Sequence, residues 1–212
     1  MYNYPHYKFP DSASVITFMQ QNPFVSIMTS DKAGRIELTQ IPMLVEERAG
    51  KIFLSGHIAR KSDHQLALAE SPEALVLFTG PHCYVSATWY TTNPHMGSTW
   101  NYMSVHARGP VRFTSEQELV EIMKRLSLHF ENGNKESVTV YDNLPEEYTE
   151  KMIKAIVGIE IEVTELDNVC KISQNRDVVS FENIIRELKK QEGDAVKIAE
   201  IMEARKSSIF QV

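Results

Sequence analysis

Two segments hold most of the side chains that could meet a flat, polar ligand: GPHCYVSATWY at 80–90 and STWNYMSVHARG at 98–109. Both tryptophans of the chain, Trp89 and Trp100, fall here, beside Tyr84, Tyr90, Tyr102, Ser86, Thr88, Thr99 and Asn101. Aromatic faces stack on a planar ring, and hydroxyl and amide groups bond to its heteroatoms. A strand that merely filled a core would gain nothing from so many side chains needing partners. The intervening TTNPHMG at 91–97 reads as a loop between two strands.

A different chemistry is suggested by Ser55-Gly56-His57-Ile58-Ala59-Arg60-Lys61-Ser62. This stretch follows a strand-like run and opens a helix-like one. Free backbone N–H groups at a helix start, joined by Arg and Lys, suit a phosphate. The plainer reading is a solvated turn that happens to be basic. KISQNR at 171–176 is a second polar island between apolar segments, and reads equally well as a linker.

Histidine and cysteine spacing predicts no metal site, since His57 and His64 stand apart and His82 and Cys83 are adjacent. Neighbours on a strand point to opposite faces, so His82 and Cys83 do not read as a base and its nucleophile. His106 lies mid-strand and is open to either a structural or a catalytic role.

The elements that must position these groups follow from pattern. Asp11-Ser12 opens a short helix through Val15, Ile16, Phe18 and Met19, ended by Asn22-Pro23. Strands are predicted at 24–29, 35–46, 51–56, 74–79, 83–90, 99–113 and 156–166. Helical content marks 62–70 and 145–155, and Ser115 with Glu118 forms a capping box for a helix to Phe130. Beyond residue 176, Phe181, Ile184, Ile185 and Leu188, then Val196, Ala199 and Met202, recur at helical spacing on either side of Gly193. Strands joined mostly by short turns predict a mainly β fold, an antiparallel β-barrel with peripheral helices. No G-x-G-x-x-G motif or regular strand–helix alternation points to a Rossmann fold.

The 212 residues suffice for one well-buried domain, or one domain with a small appendage. A formal charge of −6 opposes bulk attraction to nucleic acid or anionic membrane. No apolar run is long enough to span a bilayer, and the N-terminus lacks a signal-peptide layout, so a cytoplasmic protein is expected. The two cysteines, Cys83 and Cys170, sit singly in strand-like segments rather than in a disulfide framework.

Taken in order, GHIAR at 56–60, GPHCYVSATWY, TWNYMSVHARG at 99–109, IVGIEIEV at 156–163 and KISQNR resemble the PaiB family of FMN-binding negative transcriptional regulators. The likeness runs over essentially the whole chain. GPH-x-Y and TWNY…VHA-x-G are specific as a set. Where the family commonly has S-P-S-W-Y, this chain has Ser86-Ala87-Thr88-Trp89-Tyr90, which keeps a hydroxyl at Thr88.

The resemblance implies a split β-barrel of the pyridoxamine-phosphate-oxidase-like type, a homodimer with FMN at the subunit interface. It implies a barrel over residues 1–170, with 171–212 as a cofactor-covering segment and C-terminal helices of the same domain. Arg60, Lys61 and Ser62 would hold the FMN phosphate. Thr39, Gln40, Ile41 and Pro42 would run beside the isoalloxazine, with Trp89, Trp100, Asn101 and Tyr102 walling ring and ribityl chain. Ser173, Gln174 and Arg176 would reach in from the second subunit.

Two functions follow. One is a flavin-dependent regulator or sensor, acting through redox state or a regulatory protein partner. With acidic residues outnumbering basic ones and no helix-turn-helix, direct sequence-specific DNA binding is not expected. The other is an FMN-dependent oxidoreductase, a flavin reductase or a pyridoxamine-phosphate-oxidase-like enzyme, supported by fold analogy only. Haem in place of FMN is conceivable, although no histidine spacing selects an axial ligand.

Overall fold

A computed structural model of the chain describes residues 3–91 and 95–210. The loop expected at 91–97 therefore lies in part outside the described residues. The described residues form eight strands: β1 (Phe24–Ser30), β2 (Ile36–Pro42), β3 (Leu44–Arg48), β4 (Lys51–Ala59), β5 (Glu73–Val85), β6 (Thr99–Phe113), β7 (Ile156–Glu162) and β8 (Glu165–Lys171). They pair in the order β2-β1-β5-β6-β7-β4-β3, with β8 beside β6. The ladders of β1 with β2 and β5, and of β7 with β4 and β6, are antiparallel. Six α-helices accompany them: α1 (Ser12–Gln21), α2 (Asp63–Glu70), α3 (Glu116–Phe130), α4 (Glu146–Ala155), α5 (Val178–Leu188) and α6 (Asp194–Phe210).

The chain divides into two compact units. Unit 1 comprises 1–15, 79–105 and 167–212, and unit 2 comprises 16–78 and 106–166. Unit 2 is built on alternation. Val25 and Ile27 of β1 are buried, as are Leu54 and Ile58 of β4 and Ile159 and Ile161 of β7. Two glycines permit close backbone approach there. A Cβ on Gly109 would stand 1.9 Å from the Glu162 carbonyl oxygen, and one on Gly158 would stand 2.1 Å from Thr114 Oγ1. The capping box of α3 is formed as its sequence predicts, Ser115 Oγ accepting from Glu118 N while the Glu118 carboxylate accepts from Ser115 N.

Unit 1 buries Phe181, Ile184 and Leu188 of α5 with Ile198, Ala199 and Met202 of α6. The Asp177 side chain caps α5 by accepting from Ser180 N at 2.9 Å. Edge-on contact of Phe181 with Phe210, at 5.1 Å, ties the two helices together.

Three predicted boundaries are corrected. The strands expected at 74–79 and 83–90 are one strand, β5, running through Gly80-Pro81, and the chain then forms a single 3-10 turn over Ala87–Trp89. The strand expected at 35–46 is two, β2 and β3, divided at Met43, whose N–H leaves the strand to bond Pro23 O. The strand expected to end at 166 ends at Glu162, and a further strand, β8, follows.

Candidate functional site

Half of the predicted site residues, Thr39, Gln40, Ile41, Pro42, Arg60, Lys61 and Ser62, lie in unit 2; the other half, Trp89, Trp100, Asn101, Tyr102, Ser173, Gln174 and Arg176, lie in unit 1.

In unit 2 the basic motif falls at the turn between β4 and α2. Residues 55–59 are strand, so the turn proper is Arg60-Lys61-Ser62. Ser62 is the N-cap, its hydroxyl accepting from Gln65 N at 3.2 Å. Lys61 has φ +62°, left-handed backbone that a residue with a Cβ seldom adopts. Its N–H is held by Gln65 Oε1 at 2.5 Å. The lysine side chain is exposed and pairs with no carboxylate among the described residues.

Arg60 is less free. Its backbone N–H donates to Ala155 O, and its guanidinium donates from Nε to Lys154 O at 3.1 Å and from Nη2 to Ile156 O at 2.7 Å. Lys154 O and Ala155 O are the last carbonyls of α4, which lack intrahelical partners and carry the negative end of the helix dipole, and Ile156 O opens β7. Arg60 is thus a cap for α4, with Nη1 and one N–H of Nη2 remaining for an anion.

β2 ends the order of paired strands, so one margin of its backbone has no ladder partner among the described residues. Alternation divides the predicted residues on it. Thr39 and Ile41 face inward, and Thr39 Oγ1 lies 2.8 Å from His64 Nδ1 of α2. Gln40 is exposed on the outer face with Ile36 and Leu38. His64, only 3% exposed, was missed in the sequence reading because its partner is distant in sequence. Its Nε2 is buried without a partner, as is His57 Nδ1. Burial holds both imidazoles below the usual histidine range, the Glu37 charge opposing this weakly at His64.

In unit 1 the outward aromatics of β5 and β6 meet. Trp100 lies 6.1 Å from Tyr84 and 6.2 Å from His82, with Trp100 and Tyr84 about half exposed. Cys83 faces the other way, buried, its thiol pushed up to about 11 by burial and then by Asp194. Trp89 is half-buried, its carbonyl accepting from Asn183 Nδ2. Tyr102 is half-buried too. Asn101 is fully buried and accepts from Ser173 Oγ at 2.9 Å, so its amide supports the fold rather than an open surface.

KISQNR is a locked turn. Ser173 has φ +63°, Gln174 Oε1 accepts from Ile172 N at 2.7 Å, and Gln174 Nε2 donates to Cys170 O at 2.6 Å. Arg176 is left stacked on Tyr90, its guanidinium carbon 4.1 Å from the ring centre. Of the four described non-glycine residues with positive φ, two, Lys61 and Ser173, thus fall in the two basic motifs.

A family model described as "Putative FMN-binding domain" matches residues 1–165. The protease synthase and sporulation protein PAI 2 of Bacillus subtilis is 28% identical over 204 residues, covering 96% of this chain and 97% of that protein. Among solved structures, the conserved hypothetical protein Rv2991 of Mycobacterium tuberculosis aligns with a TM-score of 0.56 at 13% identity, covering 80% of this chain and 90% of the other. The flavocytochrome Anf3 of Azotobacter vinelandii aligns with a TM-score of 0.52 at 16% identity, covering 81% and 72%. At such identities the structural likeness speaks for the fold, a mainly antiparallel split β-barrel with helices.

Proposed function

The chain belongs to the FMN-binding-domain family and binds FMN, and from that premise we propose that the turn between β4 and α2 takes the FMN phosphate and that the protein serves as a flavin-dependent regulator. The observation that carries the phosphate assignment is Lys61. Its strained backbone places an exposed, uncompensated ammonium at the start of α2, where the first N–H groups have no intrahelical partners. Arg60 fits the same role from the side, since its α4 contacts fix the guanidinium while leaving part of the fork unused. The unladdered margin of β2 suits the isoalloxazine, whose heteroatoms would meet backbone groups near Gln40 and Ile41.

Bound FMN supplies one- and two-electron redox chemistry, while the chain binds, orients and shields it. Kinship with PAI 2 over nearly the full length of both proteins supports the regulatory reading. The reading includes a homodimer, supported by the outward face on which Phe24, Ile36 and Leu38 are more than half exposed. Among the described residues no helix is long and apolar enough to cross a membrane.

Flavin fluorescence tests the phosphate locus. Lys61→Ala is expected to weaken FMN about tenfold or more while leaving riboflavin unchanged, because only FMN carries the phosphate. Equal weakening of both would remove Lys61 from that role. Steady NAD(P)H oxidation by the FMN-loaded protein would replace the regulator reading with an oxidoreductase.

A further inference from the structure

We propose that Arg176 and Tyr90 form a second anion site, within unit 1, for a small molecule bearing a phosphate monoester or a carboxylate. Tyr90 is 5% exposed, yet its hydroxyl is buried without a hydrogen-bond partner. The Arg176 Nε stacked against it is orphaned as well. Two unsatisfied polar atoms on the two members of one stacked pair are a costly arrangement in a protein interior. A guanidinium carries five N–H groups. The only side-chain acceptor Arg176 meets among the described residues is the Met96 thioether, 3.6 Å from Nη1. Sulfur of this kind is a weak acceptor, which an oxyanion readily displaces.

Charge agrees with geometry. Arg176 forms no ion pair with a carboxylate among the described residues. The adjacent Asp177 is committed to capping α5, accepting from Ser180 N and from Thr91 Oγ1. Lys171 donates to Thr99 Oγ1 and lies 5.9 Å from the Tyr7 ring centre. Burial first, and the Arg176 charge second, hold its ammonium below the usual lysine range. No carboxylate answers the Arg176 charge among the described residues, which favours an anion at its guanidinium.

The turn is also rigid. Ser173 at φ +63°, the two Gln174 bonds and the Arg176 N–H to Ser173 O contact at 3.0 Å set the arginine before any ligand arrives. Both residues belong to unit 1, whereas the FMN phosphate locus proposed above belongs to unit 2.

The test is calorimetric titration of inorganic phosphate into the full chain, FMN-saturated and flavin-free. Saturable binding is expected, weakened at least about tenfold by Arg176→Gln and several-fold by Tyr90→Phe. Tyr90→Phe removes only the hydroxyl, so the ring and its packing survive even if the arginine variant folds poorly. Absence of saturable binding in the wild type, or affinity unchanged in both variants, overturns the site. So does phosphate that expels FMN while Arg176→Gln weakens FMN but not riboflavin, because the anion recognised would then be the cofactor's own. Failure to bind FMN at all is read separately, from flavin fluorescence, and the flavin-free titration then decides.

Discussion

His64 shows what a single buried side chain imposes. Its Nδ1 meets Thr39 and its Nε2 is buried with no partner among the described residues, so burial disfavours the charged ring. A histidine whose folded pKa is depressed stabilises the fold fully above its unfolded value, about 6.5, and loses that contribution as pH falls below it. His57 acts in the same direction. Thermal or urea unfolding is therefore expected to show stability falling as pH drops below about 6.5, at up to ~1.4 kcal/mol per pH unit per histidine. His64→Gln should flatten part of that slope. An unchanged slope would mean that the folded chain accepts the charge. The Arg60-Lys61 pair was legible at this scale because two cations before a helix start are conspicuous in an acidic chain. His64 was not, because its role depends on Thr39, 25 residues away in sequence. The tie of Arg60 to α4 spans 94 residues and was equally hidden.

At the scale of elements, Arg60 joins the end of β4 to the end of α4 and the start of β7 through three consecutive carbonyls. Arg60→Ala should lower stability by about 1–2 kcal/mol, a drop in Tm of roughly 2–8 °C, and raise amide exchange at the end of α4. A loss of FMN affinity with no change in Tm would show the α4 contacts to be idle. Gly109→Ala tests a closer approach. Its methyl would meet backbone rather than a movable side chain, so expression of folded protein is expected to fail, checked by circular dichroism. β6 and the α3 capping box were legible because alternation and cap chemistry are local signals. β8 was not, since Glu165, Asp167 and Asn168 give it a polar, loop-like composition and its place beside β6 is a non-local fact. β5 was broken too early because Gly80-Pro81 is ordinary turn chemistry, overridden here by pairing.

For the whole molecule, the mainly β antiparallel architecture followed from counting strands and turns, and the FMN-binding family from motifs spread along the chain. What composition could not show is which apolar side chains remain uncovered. Phe24, Ile36 and Leu38 share the outer face of β1 and β2, as their register requires. Leu38→Lys is expected to shift the protein toward monomer in sedimentation velocity while leaving its circular dichroism unchanged. A wild type that already sediments as monomer would remove the homodimer from the proposed function.

The unladdered margin of β2 carries a further consequence. A strand with free backbone groups, flanked by exposed Ile36 and Leu38, is a template onto which other unfinished chains can add during synthesis. If the isoalloxazine covers that margin as proposed, it also shields it from aggregation, and flavin supply during expression is then expected to raise soluble yield.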